Sequence, residues 1–193
     1  MYRVDIKIKS SIHKLENYIM EIIFGRLHDM LVKMQDKDKK VKIGIGFPKY
    51  SVSPRTLGNT LTLFGPKEEL EAINLNTELN DVINYISIGE VTKTKDTGKY
   101  YSFRRQRYRH SPENRIKKAM KRKGYTRKEA EQKYMPYINM DKPRFNYPYL
   151  NYESKSTGQS FPFMIKREKT EKRADKFNAY GLDYGEERRG VPV

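Results

Sequence analysis

The stretch Tyr2–Met34, YRVDIKIKSSIHKLENYIMEIIFGRLHDMLVKM, decides the fold class because its apolar residues change period part-way along. Tyr2, Val4, Ile6 and Ile8 alternate with polar residues, as in a strand buried on one face. From about Ser11 to Met34 the spacing becomes helical, with Leu15, Ile19, Ile22, Ile23, Leu27, Met30, Leu31 and Met34 on one stripe.

Working outward, Asp36 to Lys40 is a charged turn. Val41, Ile43, Ile45 and Phe47 then alternate as a second strand, ended by Pro48. A polar loop leads to a third strand, Thr60 to Phe64. Gly65 and Pro66 open a second helical region from Lys67 to about Asn84, and Tyr85 to Val91 make a fourth strand. The order is βαββαβ, the ferredoxin-like arrangement, which RNA-recognition modules share and which hosts many unrelated activities. The polar run Lys93 to Gly98 predicts a boundary. The expected fold is therefore α+β: a ferredoxin-like domain over residues 1–95 and a C-terminal α+β domain over 96–193 that carries a basic RNA-binding helix. Two strands, Phe161 to Lys166 and Phe177 to Leu182, are expected near the end, with a charged loop between them.

The basic helix belongs to the stretch Tyr100–Lys128, YYSFRRQRYRHSPENRIKKAMKRKGYTRK. Arg104, Arg105, Arg107 and Arg109 form an arginine cluster. Ser111 then suits an N-cap, Pro112 the first helical position and Glu113 the first turn. Helical spacing puts Ile116, Ala119 and Met120 toward the protein and Arg115, Lys118 and Arg122 on a separate ridge. Gly124 is the predicted stop, and Thr126 with Glu129 forms a capping box that starts another short helix. One lysine-rich helix alone reads as a solvated face. Arginines interleaved with tyrosines, and hardly diluted by acid, read better as phosphate contacts with base stacking.

The composition agrees. Forty Lys and Arg against 24 Asp and Glu give a formal charge of +16, and the mean hydropathy is −0.91. Such a field attracts polyanions. No apolar run reaches the length of a membrane span, and the segment after Met1 is too polar for a secretory signal, so a cytoplasmic setting and no membrane partner are expected. With no cysteine there is no disulfide, thiolate zinc site or cysteine nucleophile. The sequence carries no phosphate-binding glycine loop, no H-E-x-x-H and no cluster of acids suited to two-metal chemistry, so neither metal nor cofactor is expected.

Three histidines remain: His13, His28 and His110. His13 lies near a helix start, and His110 sits in the arginine cluster as a modest phosphate contact. His28, one place beyond Leu27 at the edge of the helical stripe, reads from its position alone as a half-buried structural histidine. RNA nevertheless supplies its own nucleophile, the 2′-hydroxyl. An enzyme need only orient that group, move protons and stabilise the phosphate, which a histidine, hydroxyls and cations suffice to do.

The segments IIFGRLHDML (22–31), KIGIGFP (42–48), SFRR (102–105) with SPEN (111–114) after it, SKSTGQSF (154–161) and AYGL (179–182) together resemble the CRISPR-associated repeat-processing endoribonuclease of the type I-F (Csy) systems. The resemblance runs in order over nearly the whole chain, and its most specific parts are F-G-x-L-H, S-T-G-Q-x-F and the closing Y-G-L. It implies metal-free cleavage of a CRISPR repeat transcript at the 3′ base of a hairpin, leaving a 2′,3′-cyclic phosphate. The enzyme then stays on the hairpin with the other subunits of the interference complex. By position it makes His28, Ser154 and Tyr180 catalytic, has Ser156 and Thr157 hold the scissile phosphate, and has Phe161 cap the last base pair. Arg105 becomes a base reader, and Lys118, Lys121 and Arg122 the groove-facing helix. The family's second base-reading position is usually glutamine; strict spacing puts Arg107 there, so either the register shifts to Gln106 or the readout differs.

Without the resemblance, Ser154, Ser156 and Thr157 are turn hydroxyls before a strand, Tyr180 is a strand aromatic and Phe161 a core residue. The enzyme reading has two rivals. A hairpin-binding protein that does not cut would need the basic helix and not His28. A ribosomal-type structural protein would match the charge and size and leave the STGQ and YGL segments unexplained.

Overall fold

A computed structural model of the chain describes residues 1–9, 13–95, 98–107, 112–134, 147–154 and 158–193. The chain is a mixed α+β protein with antiparallel sheets. Its contacts divide it into two units, Met1–Gln106 with Tyr147–Val193, and Arg107–Asn146.

In the first unit the alternation of Tyr2–Ile8 becomes β1, with Val4, Ile6 and Ile8 buried. The helical stripe becomes α1 (His13–Lys33), which buries Ile19, Met20, Ile23, Phe24, Leu27, Met30 and Leu31. The further strands of the N-terminal half are β2 (Gly44–Gly46), the short pair β3 (Ser51–Val52) and β4 (Arg55–Thr56), β5 (Thr60–Gly65), β6 (Ile86–Ile88) and β7 (Thr92–Lys93). The main sheet runs β2-β5-β1-β6, with β7 also on β1 and every pairing antiparallel. The expected second strand is shortened to β2. Val41, outside β2, bonds to Phe177, and Ile45, within it, bonds also to Gly181, both from the C-terminal part of the chain.

The region expected as one helix from Lys67 to Asn84 is broken into α2 (Lys67–Glu71), α3 (Leu75–Glu78) and a 3-10 turn over Asn80–Tyr85. Asn74 breaks it. Its side chain accepts from the Thr77 N–H and starts a new helix in place of continuing the first.

A second sheet is formed by β8 (Tyr100–Gln106), β9 (Tyr149–Glu153) and β10 (Ser160–Thr170) in the order β8-β10-β9. The arginine cluster therefore begins on a strand. The charged loop expected after Lys166 is strand as far as Thr170. Phe177 makes only an isolated bridge to Val41, and the residues after it form a turn where a strand was expected. Phe103, Leu150, Phe163, Ile165, Phe177, Leu182 and Val191 join the β1–α1 residues in one apolar core. At about 25 cal/mol per Å² of apolar surface removed from water, such burial is the main favourable contribution to folding.

In the second unit α4 (Pro112–Lys123) ends before Gly124, which takes the left-handed φ of +68° that the predicted stop requires. The capping box is present. The Thr126 N–H donates to Glu129 Oε2 (2.8 Å) and the Glu129 N–H to Thr126 Oγ1 (3.3 Å), starting α5 (Arg127–Tyr134). Ile116, Ala119 and Ala130 form a small core of their own. Met120, expected beside them, is 39% exposed. The N-cap at Ser111, along with Arg109 and His110, lies outside the described residues. No helix among those described is long and apolar enough to cross a membrane.

Candidate active site

Helix α1 places His28 directly after the fully buried Leu27, at the border between core and surface. The groups that hold its ring come from the other end of the chain. Residues 178–182 fold into a tight turn whose bonds converge on Asn178. Its Oδ1 accepts from the Tyr180 N–H (2.8 Å) and the Leu182 N–H (3.2 Å). Its carbonyl accepts from the Gly181 N–H (2.8 Å), and its own N–H donates to the Leu182 carbonyl (3.0 Å). The Ile45 N–H donates to the Gly181 carbonyl (2.7 Å), fastening the turn to β2. Gly181 has φ +66°, and a Cβ there would lie 2.7 Å from Ile45 Cγ1, so two separate constraints call for glycine.

This turn presents two groups to His28. The Nδ1–H donates to the Ala179 carbonyl at 2.8 Å, and the Tyr180 ring stacks on the imidazole with centroids 4.0 Å apart and planes within 9°. A carbonyl can only accept, so the neutral ring carries its hydrogen on Nδ1 and its lone pair on Nε2. Tyr180 is backed by Phe163 at 4.8 Å and Phe24 at 6.1 Å. Glu21 ties α1 to β9 by accepting from the N–H and Nδ2 of Asn151.

Ser154 comes directly after the last residue of β9, the strand that pairs with β10. Its N–H donates to the Gln159 carbonyl (3.0 Å), and its carbonyl accepts from the Gly158 N–H (2.7 Å). His28, Ser154 and Tyr180, distant in sequence, share a cavity of about 690 Å³ with Tyr152, Asp29, Arg26, Lys33 and other residues. Arg26 pairs with Asp81 on its wall. Among the described residues no group of His, Asp and Glu converges as a metal site.

Phe161 is half-buried on β10 opposite Tyr152 on β9, with ring centroids 5.6 Å apart. The Arg105 guanidinium lies over Phe161 (4.8 Å), Phe163 (4.6 Å) and Tyr180 (5.8 Å), so one cation touches both Phe161 and the tyrosine beside His28. The neighbouring Arg104 points elsewhere and donates to the Gly185 carbonyl. Arg107, Arg115, Lys118, Lys121 and Arg122 belong to the second unit. Arg107, Lys118, Lys121 and Arg122 are exposed there and Arg115 is half-buried. Ser156 and Thr157 lie outside the described residues.

Residues 3–192 match the family model described as CRISPR-associated protein (Cas_Csy4). The chain belongs to the Csy4 family. It is similar, at 25% identity over 184 residues (94% of this chain and 95% of the relative), to the CRISPR-associated endonuclease Cas6/Csy4 of Pseudomonas aeruginosa strain UCBPP-PA14.

In this Csy4-family chain the sequence reading missed Tyr152, which meets both His28 and Tyr180 edge-on, at 5.9 and 5.8 Å. Its hydroxyl is pushed up to about 12, chiefly by burial, then by the neighbouring Tyr180 and Asp29 and a hydrogen bond with Tyr180, against the pull of Arg105. The signal was available: strand alternation puts Tyr152 on the same side as Ser154, two places on. The Ala179 carbonyl left no such trace.

Proposed function

We propose that this chain is a metal-independent endoribonuclease that cuts CRISPR repeat transcripts at the 3′ base of a hairpin to release guide RNAs. The observation that carries the reading is the imidazole of His28. It is fixed by a carbonyl on Nδ1 and a stacked ring on its face, in a cavity that Ser154 also lines. A base must be oriented before it is useful, and this one is oriented by backbone and ring together.

In this reading Ser154 orients the 2′-hydroxyl upstream of the cut, and His28 Nε2 takes its proton. The 2′-oxygen forms its bond to phosphorus as the bond from phosphorus to the 5′-oxygen breaks. The leaving oxygen is protonated from the imidazolium or from water, giving a 2′,3′-cyclic phosphate and a 5′-hydroxyl. Ser156 and Thr157 steady the phosphate, Phe161 caps the stem, and Arg105 reads a base near its foot, with Arg107 as a second reader. Arg104, Arg115, Lys118, Lys121 and Arg122 supply phosphate contacts. Residues 1–95, whose sheet order supports a ferredoxin-like reading, provide the histidine, and residues 96–193 provide most of the RNA surface. After cleavage the protein stays on the hairpin, with the other subunits of the interference complex, in the cytoplasm.

The test is His28→Ala in single-turnover cleavage of a repeat hairpin. Loss of a general base should slow the reaction by about 10² to 10⁴-fold and leave hairpin affinity nearly unchanged. A hairpin with 2′-deoxy at the cut should bind and stay intact, and excess EDTA should not slow the wild type. Cleavage by His28→Ala at the wild-type rate would end this reading.

A further inference from the structure

We propose that Asn178 is a positioning residue for this cleavage: its side-chain oxygen locks the peptide between Ala179 and Tyr180, and that peptide holds the hydrogen of His28 on Nδ1. The inference rests on the functional reading of His28 above. It adds a residue that stands just before the A-Y-G-L segment and takes no role from it.

The Asn178 carbonyl accepts from the Gly181 N–H at 2.8 Å, so residues 178–181 form a β-turn with Ala179 and Tyr180 at its centre. Both ends of this turn are tied down. Phe177 exchanges two backbone bonds with Val41, and the Gly181 carbonyl accepts from the Ile45 N–H. What such a turn leaves open is its central peptide, which faces opposite ways in the two common turn types. The type that turns it over needs positive φ at the third residue, and Tyr180 does not have it. Asn178 Oδ1 enforces the choice by accepting from the Tyr180 N–H at 2.8 Å and the Leu182 N–H at 3.2 Å.

Peptide planarity carries this choice to His28. In a trans peptide the C=O and the N–H point in opposite directions. With its N–H held by Asn178, the 179–180 peptide turns its carbonyl away from that side chain, and there it accepts from His28 Nδ1–H at 2.8 Å. One rigid unit is thus bonded at both ends, and the first bond polarises the acceptor of the second. The same peptide leads into the Tyr180 ring, which stacks on the imidazole 4.0 Å away. Were the peptide turned over, an N–H would face Nδ1 in place of a carbonyl. Nδ1 would then have to accept, the hydrogen would move to Nε2, and Nε2 would have no lone pair for the proton of the 2′-hydroxyl.

The test sets Asn178→Ala beside Asn178→Asp, which keeps an oxygen where both N–H groups need one. Two quantities are read. One is the nitrogen-15 shifts of the His28 ring in the free protein, with the ring neutral. The other is single-turnover cleavage, with affinity taken on the uncleavable 2′-deoxy hairpin. Wild type should carry the hydrogen on Nδ1. Asn178→Ala should lose that signature and cut about 10- to 100-fold more slowly, with affinity unchanged. Asn178→Asp should keep the Nδ1 hydrogen and cut at close to the wild-type rate. The inference is overturned if Asn178→Ala keeps the hydrogen on Nδ1, or if a folded Asn178→Asp variant loses it; the second arm stands even where the alanine variant fails to fold. His28→Ala run alongside separates the two levels. If that variant is inactive and Asn178→Ala cuts normally, only the inference falls; if it still cuts, the functional reading falls and takes the inference with it.

Discussion

Replacing Gly181 by alanine tests whether the turn at 178–182 sets the geometry of His28. Two costs are legible at this position. The left-handed φ of +66° penalises any side chain by about 1–2 kcal/mol. The new Cβ would also lie 2.7 Å from Ile45 Cγ1 and 3.2 Å from the Ile45 nitrogen, inside the bond that fastens the turn, an overpacking cost of about 1–3 kcal/mol. Together they predict a loss of about 2–5 kcal/mol. Gly185→Ala is the control, because its φ is +82° with nothing within 4 Å of the added methyl. It should lose only the first part. Urea unfolding of both variants isolates the steric part as their difference. Cleavage should separate them further. A shift of the turn by about 1 Å carries the Ala179 carbonyl and the Tyr180 ring with it, and misplacement of that order costs about 10²-fold in rate. The reasoning is refuted if Gly181→Ala matches Gly185→Ala in stability and cuts at the wild-type rate.

Three further outcomes are expected. Arg105→Ala should cost about 1–3 kcal/mol on the cognate hairpin and far less on one whose foot base pair is changed. Lys118→Ala or Arg122→Ala should weaken both hairpins alike and flatten the salt dependence by about 0.7–0.9 log unit per decade of salt; equal losses for Arg105→Ala on both hairpins would make it a phosphate contact. Burial raises the carboxyl of Asp183 above its ordinary 3.8 despite the Ser102 hydroxyl that donates to it, so the folded state binds that proton more tightly than the unfolded one. Its contribution to stability is then fully present below 3.8 and lost as pH rises through the folded value. Asp183→Asn should remove that component, and urea midpoints from about pH 4 to 8 that differ from wild type by a constant would contradict it.

The parts of the fold legible in the sequence are those whose pattern is local. The alternation of Tyr2–Ile8, the stripe of α1, the left-handed Gly124 and the Thr126–Glu129 box each need only a few neighbouring residues to be read. β8 was hidden because Arg104 and Arg105 mask the buried positions Tyr100, Ser102 and Phe103. The apolar run from Phe177 to Leu182 looked like a strand because nothing in it reveals that Asn178 closes a turn on itself. The break at Asn74 was missed for a similar reason: its cap bond outweighs a helical pattern that continues on either side. At the site, the resemblance singled out His28, Ser154 and Tyr180, which line one cavity. The carbonyl that orients His28 could not be inferred, since a backbone oxygen carries no sequence signature.

That bond joins residues 151 positions apart, which bears on how the protein is made. Synthesis proceeds from the N-terminus at about 5–20 residues per second, and early segments can fold while later ones are still being added. A growing chain that has already formed β1 and α1 carries the histidine without the turn that aims it. With His28 as the base proposed above, competence to cut would arrive late, when the residues around Asn178 leave the ribosome and close against β2. On that proposal, prematurely ended chains would hold every residue of α1 and still be inert.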